Sequence, residues 1–347
     1  MSHRNILIGA LGALMLAASI AAEPREFSAV GKWKHEASGV KLPESIGTMR
    51  RGRMVEYAGP ANVSAAYHDP TTSTAFTVYL YPSASGSVAV WFNEARKALT
   101  ANTALGKTTT EVGIHSFVPP GRSQTSGLIE SLSIEGNGRS TGLAMFEANG
   151  HLVKLRATSS KLAPAELESA MTALLAGIAW PKPLHGDTKL QPVQDCAAAM
   201  AAGEAQMRPA SMLAVLTSSG AAKAAANNHR APPVYCRDPI NAALNVYRPE
   251  GASDRYLLPL GDSGDALAVG RDEMMALMAK ADAKNGEPGY WVQLYSANEI
   301  AGVEHFNSLP SPDQAAKALS QSAPYYRVIS RGKKTEIAIT SERVPAE

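Results

Sequence analysis

The chain has 347 residues, of which 45% are hydrophobic and 18% charged, and its formal net charge is +2. That length accommodates two domains of ordinary size, and that balance excludes a disordered chain. A near-neutral charge without a concentrated basic patch also argues against nucleic acid or an anionic membrane as partner.

The amino terminus carries Arg4, an apolar run from Ile6 to Ala18, and small residues at Ser19 and Ala21 before Glu23 and Pro24. These are the three parts of a secretory signal peptide. The run is shorter than the ~20 residues that cross a bilayer as a helix. Residues 1–22 are therefore expected to be removed. What remains is expected to be periplasmic or secreted, with no integral membrane segment.

Residues 23–180 read as an N-terminal α+β domain. Short strands are expected at Gly39–Pro43, Met54–Tyr57 and Val63–Tyr67. Arg50-Arg51-Gly52-Arg53 between them reads as a solvated turn. Ala75–Tyr81 is the strongest strand, with Phe76, Val78 and Leu80 on one face and Thr77, Tyr79 and Tyr81 on the other. Val88, Trp91, Phe92, Ala95 and Leu99 then form the stripe of an amphipathic helix. Burying its two large aromatics alone is worth roughly 3–6 kcal/mol. Strands follow at Gly113–Val118, Gly127–Glu135, Gly142–Glu147 and Leu152–Thr158, and the last three are joined through Asn137-Gly138 and Asn149-Gly150 as an antiparallel meander. A helix over Pro164–Ile178 closes the unit, its buried stripe built from Leu167, Met171, Leu174, Leu175 and Ile178. This order of elements is similar to the Mog1/PsbP type of α/β sandwich. The resemblance implies an antiparallel sheet with flanking helices and implies no activity.

Residues 181–190, opened by Trp180-Pro181-Lys182-Pro183, read as a linker. Residues 191–347 read as a second α+β domain. It is expected to open on an alanine-rich helical stretch from Cys196 through Met200 and onward, with Cys236 in a loop between Pro232-Pro233 and Asp238-Pro239. Strands at Tyr256–Leu260, Ala266–Val269 and Tyr290–Tyr295, helices at Arg271–Ala281 and Pro312–Ser320, and a hairpin of Tyr325–Ile329 with Thr335–Ile339 around Gly332 complete it. Met274, Met275, Leu277 and Met278 are expected to be helix core, as are Ala315, Ala316 and Leu319. The fold class is thus α+β: two domains, each a mainly antiparallel sheet packed with a few helices.

Cys196 and Cys236 are the only cysteines, and an even number in an oxidising compartment predicts that they pair. No catalytic string stands in the right context. Gly138-Arg139-Ser140-Thr141-Gly142 has the spacing of a nucleophile elbow, but a strand follows where that motif needs a helix, so Ser140 reads as a hairpin residue. Ser38-Gly39-Val40-Lys41 has Ser-x-x-Lys spacing, but its glycine and the nearby Pro43 oppose the helix that chemistry requires. The histidines stand singly. His35, His68 and Asp69 are the one grouping weighed as a site, since both histidines border strands of the first domain, but hydrogen-bonded or solvated histidines are the expectation. Gly261-Asp262-Ser263-Gly264-Asp265 lacks the acid spacing of a calcium loop and reads as a tight turn. No catalytic residue, metal ligand or cofactor is nominated.

The expectation for function is a non-enzymatic envelope protein that binds a peptide, a glycan or another protein. An exposed edge strand carrying Tyr79 and Tyr81 is one way to recruit an extended partner. The alternative is a cofactor-free hydrolase with its site in an interdomain cleft, drawing on Arg237, Asp238, His229 or His305. A third reading makes the second domain a stabilising or dimerising scaffold for the first.

Overall fold

The structure is a computed structural model that describes residues 23–57, 59–136, 138–182, 189–226, 232–240, 244–281, 289–321, 323–331 and 334–345. The expected signal peptide lies outside the described residues, as do Asn137, His185, His229, Gly332 and the side chain of Met278. Among the described residues, the chain is mixed α and β, with two mostly antiparallel nine-stranded sheets and five α-helices.

The first half runs β1 (Arg25–Phe27), β2 (Trp33–Lys34), β3 (Lys41–Leu42), β4 (Ser45–Ile46), β5 (Met49–Glu56), β6 (Val63–Asp69), β7 (Thr74–Tyr81), α1 (Val88–Thr100), β8 (Lys107–Phe117), β9 (Gly127–Glu135), β10 (Ser140–Ala148), β11 (His151–Ser159) and α2 (Pro164–Gly177). The first sheet has the order β1-β5-β6-β7-β11-β10-β9-β8, with β4 paired to β5; β2 and β3 form a small separate ribbon. One face packs on α2 through Leu167, Met171 and Leu174, which meet Phe76, Val78 and Leu155. The opposite face packs on α1 through Trp91, Phe92 and Leu99, which meet Leu128, Leu143 and Leu152. Both helices start where the sequence says: the Ser87 hydroxyl accepts from Val90 N–H, and Pro164 stands at the head of α2.

Two expectations in this half are corrected. The arginine cluster is not a solvated turn but the middle of β5, bulged between Arg51 and Met54. Arg51 is buried, and its guanidinium donates to the carbonyls of Leu42, Ala29 (2.7 Å) and Gly31 (2.8 Å). A charge is tolerated inside when its fixed fork of donors meets backbone oxygens that themselves need partners. The strand carrying Tyr79 and Tyr81 is not an edge either: β7 is paired along its length with β6 and with β11.

The second half runs β12 (Gln194–Asp195), α3 (Met212–Ala226), β13 (Tyr235–Asp238), β14 (Val246–Pro249), β15 (Arg255–Pro259), β16 (Ala266–Arg271), α4 (Glu273–Ala281), β17 (Tyr290–Ser296), β18 (Glu299–Phe306), α5 (Pro312–Gln321), β19 (Tyr326–Arg331) and β20 (Lys334–Ile339). These strands pair in sequence order, β12 to β20, and only β12 with β13 is parallel. One face carries Tyr256, Leu258, Val269 and Val292 under α5. The other carries Trp291, Ile300, Tyr326 and Val328 under α3, and Tyr247, Leu257 and Ala266 against α1 of the first half. The helix α1 is thereby shared between the two sheets.

Four local expectations change here. Cys196–Met200 is not helical: Cys196 N–H donates to Arg237 O and Met200 N–H to the Asp238 carboxylate, so β13 ties the stretch down and the helix waits until Met212, beyond Pro209. Cys236 lies in β13 rather than in a loop. Of the α4 residues expected in the core, Met275 is buried while Met274 and Leu277 are exposed. On α5, Ala315 and Ala318 face inward and Leu319 is exposed. The expected disulfide Cys196–Cys236 is present, with a Cα–Cα distance of 4.9 Å. Among the described residues, no helix is long and apolar enough to cross a membrane.

Candidate functional site

A cleft of about 610 Å3 lies between the two sheets, lined by residues of both halves. Its volume falls in the ~300–1,000 Å3 range of ligand sites. One wall is the loop from β7 to α1, Pro82-Ser83-Ala84-Ser85-Gly86-Ser87, together with the β10–β11 turn. The facing wall comes from the end of α3, the start of β13 and the β17–β18 turn, and residues 189–192 run along the side.

Each wall is held for a local reason. The serines of the β7–α1 loop use their hydroxyls on the loop itself: Ser83 accepts from Gly86 N–H at 3.0 Å and Ser85 from Ser87 N–H at 3.2 Å. The β10–β11 turn has Asn149 at φ 52° and Gly150 at φ 79°, the left-handed pair of a tight two-residue hairpin. Gly150 N–H donates to the Glu147 carboxylate at 2.5 Å. Arg122 reaches into the same corner, donating to Glu147 O at 2.7 Å with the two side chains 3.7 Å apart. Residues 189–192 are anchored because Leu190 N–H donates to Thr125 O and Leu190 O accepts from the Ser116 hydroxyl.

The lining is mixed in charge and rich in backbone. Arg122 and Lys189 contribute positive groups, and Glu147, Glu250 and Glu299 negative ones. Glu299 pairs with Arg327. Tyr235 and Tyr295 belong to the walls, and burial pushes both phenols up to about 12.

Of the residues weighed from sequence for the hydrolase alternative, the described three, Arg237, Asp238 and His305, sit elsewhere. Asp238 is buried, pairs with Arg248 at 2.8 Å and accepts from the N–H groups of Met200 and Ile240. Arg237 pairs with Asp195. His305 is buried against Trp291, with ring centroids 4.8 Å apart, and burial lowers its pKa to about 4. His229 lies outside the described residues. The grouping of His35, His68 and Asp69 does not assemble. His35 bonds Ser38 Oγ at 2.7 Å and Pro60 O at 2.9 Å, while Asp69 accepts from Thr71. Ser140 opens β10 and donates to Leu162 O. Among the described residues, no three His, Cys, Asp or Glu side chains group as metal ligands. Residues 261–265 turn between β15 and β16, and Asp262 of that turn pairs with Lys154 at 2.8 Å.

The sequence suggested an interdomain cleft only as the place to look for the hydrolase alternative, and it named none of the residues that line this one. The one signal available was the serine-glycine loop between a strong strand and a strong helix, which reads as ordinary turn chemistry. Comparison with known proteins finds no match to this chain among family models, curated proteins or solved structures.

Proposed function

We propose that this is an exported binding protein with no chemistry of its own, whose cleft between the sheets receives an extended peptide segment. The observation that carries the reading is the cleft's lining. It combines charges of both signs with backbone from several loops, which suits a ligand that presents amide groups and mixed side chains. A glycan is less well matched, because sugar rings favour aromatic faces laid open, and the two tyrosines here are built into the walls. The hydrolase alternative keeps the cleft, but Arg237, Asp238 and His305 are not among the residues that line it. The same reading treats residues 23–180 and 191–347 as two domains, the first similar in arrangement to the Mog1/PsbP sandwich, with helices on both faces of its sheet. Export through a cleaved signal peptide belongs to it as well.

The test is titration of the disulfide-intact chain, from Glu23 onward, with a pool of short synthetic peptides of acidic, basic and mixed sequence. Mixed sequences are expected to bind with micromolar affinity, and Ala297→Trp in the cleft wall should abolish binding. Absence of binding across the pool, or binding indifferent to Ala297→Trp and to Ser85→Trp, overturns the proposal.

A further inference from the structure

A second cavity, of about 270 Å3, lies on the α3-covered side of the second sheet, next to the cleft and bordered like it by Tyr235. Strand register explains the space. Ala268 and Gly270 are two residues apart on β16 and share a face, so two successive positions there carry almost no side chain. Across the ladder, Ala268 stands opposite Leu257 and Gln293, and Gly270 opposite Arg255 and Trp291. These taller neighbours form the walls of a trough. Its roof is the α3 face carrying Ser218 and Ala221, which are again short. Interiors normally close such gaps, because unfilled volume forfeits contacts on every side.

The polar groups around the trough are unevenly committed. Trp291 donates its indole N–H to Asp272 at 3.1 Å, and its ring is fixed edge-on by Tyr325 and Tyr326. Arg255 is engaged by Asp254 and Glu273 at the rim, so the rim charges offset one another. Gln293 donates its amide to Tyr326 Oη at 2.5 Å and to Ser218 Oγ at 3.3 Å. Among the described residues, its carbonyl receives a long 3.4 Å contact from the Tyr295 hydroxyl, which leaves it acceptor capacity.

We infer that this trough is a binding site for a small, uncharged, planar two-ring aromatic molecule carrying one hydrogen-bond donor. A cavity of about 150 Å3 holds benzene, so the larger volume here fits a fused pair of rings. Leu257 and Trp291 flank the ring plane, and Gln293 Oε1 accepts the donor. The site is independent of what fills the cleft.

The experiment uses indole and naphthalene as probes, titrated into the disulfide-intact chain from Glu23 onward and followed by calorimetry and tryptophan fluorescence. Indole is expected to bind saturably at one site, about 3–10-fold tighter than naphthalene, the value of one hydrogen bond. Ala268→Leu, which fills the floor, should weaken indole at least tenfold. Ala221→Phe on the exposed roof should do the same, and it decides the matter if the floor variant fails to fold. Peptide binding in the cleft should survive both variants, which separates this site from that one. Absence of saturable binding by either probe, or indole affinity unchanged in a folded plug variant, overturns the inference. Equal affinity for the two probes overturns its hydrogen-bonding part.

Discussion

Single side chains set two measurable properties of this protein. Arg51 is held by three backbone carbonyls, and charge-assisted bonds of this kind are each worth about 1.5–3 kcal/mol. Arg51→Ala is expected to cost about 2–4 kcal/mol in urea unfolding. Arg51→Lys should recover little, since one ammonium cannot span three acceptors with the geometry of the fork. His35 and His305 are both lowered to about 4, in each case mainly by burial, with His151 adding to the effect at His35 and Arg208 at His305. Their unfolded forms titrate near 6.5, so the unfolded chain binds more protons between about pH 4 and pH 6.5. Stability is therefore full above pH 6.5 and falls as the pH drops toward 4, by about 2–3 kcal/mol for each ring. Glu94, Asp265 and Asp272 are raised by burial and act with the opposite sign. The histidine contribution is read as the difference between the native chain and the His35→Gln/His305→Gln variant in urea titrations across that range. Identical pH profiles would refute it.

Secondary-structure elements are joined at two points where chain geometry decides stability. The disulfide closes a separation of 40 residues and joins β13 to the stretch after β12. In the chain-entropy model such a loop contributes about 4 kcal/mol. Reduction, or the double change Cys196→Ser/Cys236→Ser, should lower the unfolding free energy by that amount. The β10–β11 turn needs Gly150 at φ 79°, where a β-branched side chain costs about 1–2 kcal/mol. Gly150→Val should destabilise the chain by that much and also disturb the cleft corner made by Glu147 and Arg122.

Across the whole molecule, the two sheets are bound through α1 rather than merely adjacent. Its inner residues Trp91 and Phe92 belong to the same core as Tyr247, Leu257 and Ala266 of the second sheet. Tyr247 donates to Glu94 at 2.5 Å and accepts from Asn93 at 2.6 Å, and Asn245 donates to the same carboxylate at 2.7 Å. Lys154 bonds Asp262, while its ammonium stands 4.7 Å above the Tyr79 ring. The backbones meet closely at Gly264, where a Cβ would lie 2.4 Å from Pro82 O. A fragment ending at Lys189 should therefore expose the far side of α1 and bind a hydrophobic dye, while the longer chain unfolds in one transition. Tyr247→Phe leaves the buried Glu94 short of a donor and should cost about 1–3 kcal/mol.

Local patterning was enough to specify most of the elements. The stripes of α1 and α2, the alternation of β7, the Asn149-Gly150 turn and the pairing of two lone cysteines depend on neighbours within a turn or two, or on simple counting. What failed depended on distant partners. Arg51 resembled surface until three carbonyls from other segments surrounded it. Cys196–Met200 resembled helix until Asp238 captured its N–H groups, and the strand of Tyr79 and Tyr81 resembled an edge until β11 returned beside it. The cleft and the trough are of this second kind. Each is a volume left between elements, and the alanine and glycine that shape the trough carry no chemistry that a linear reading could recognise. Periodicity encodes which face of an element is buried, but the space between faces exists only after the sheets have been brought together.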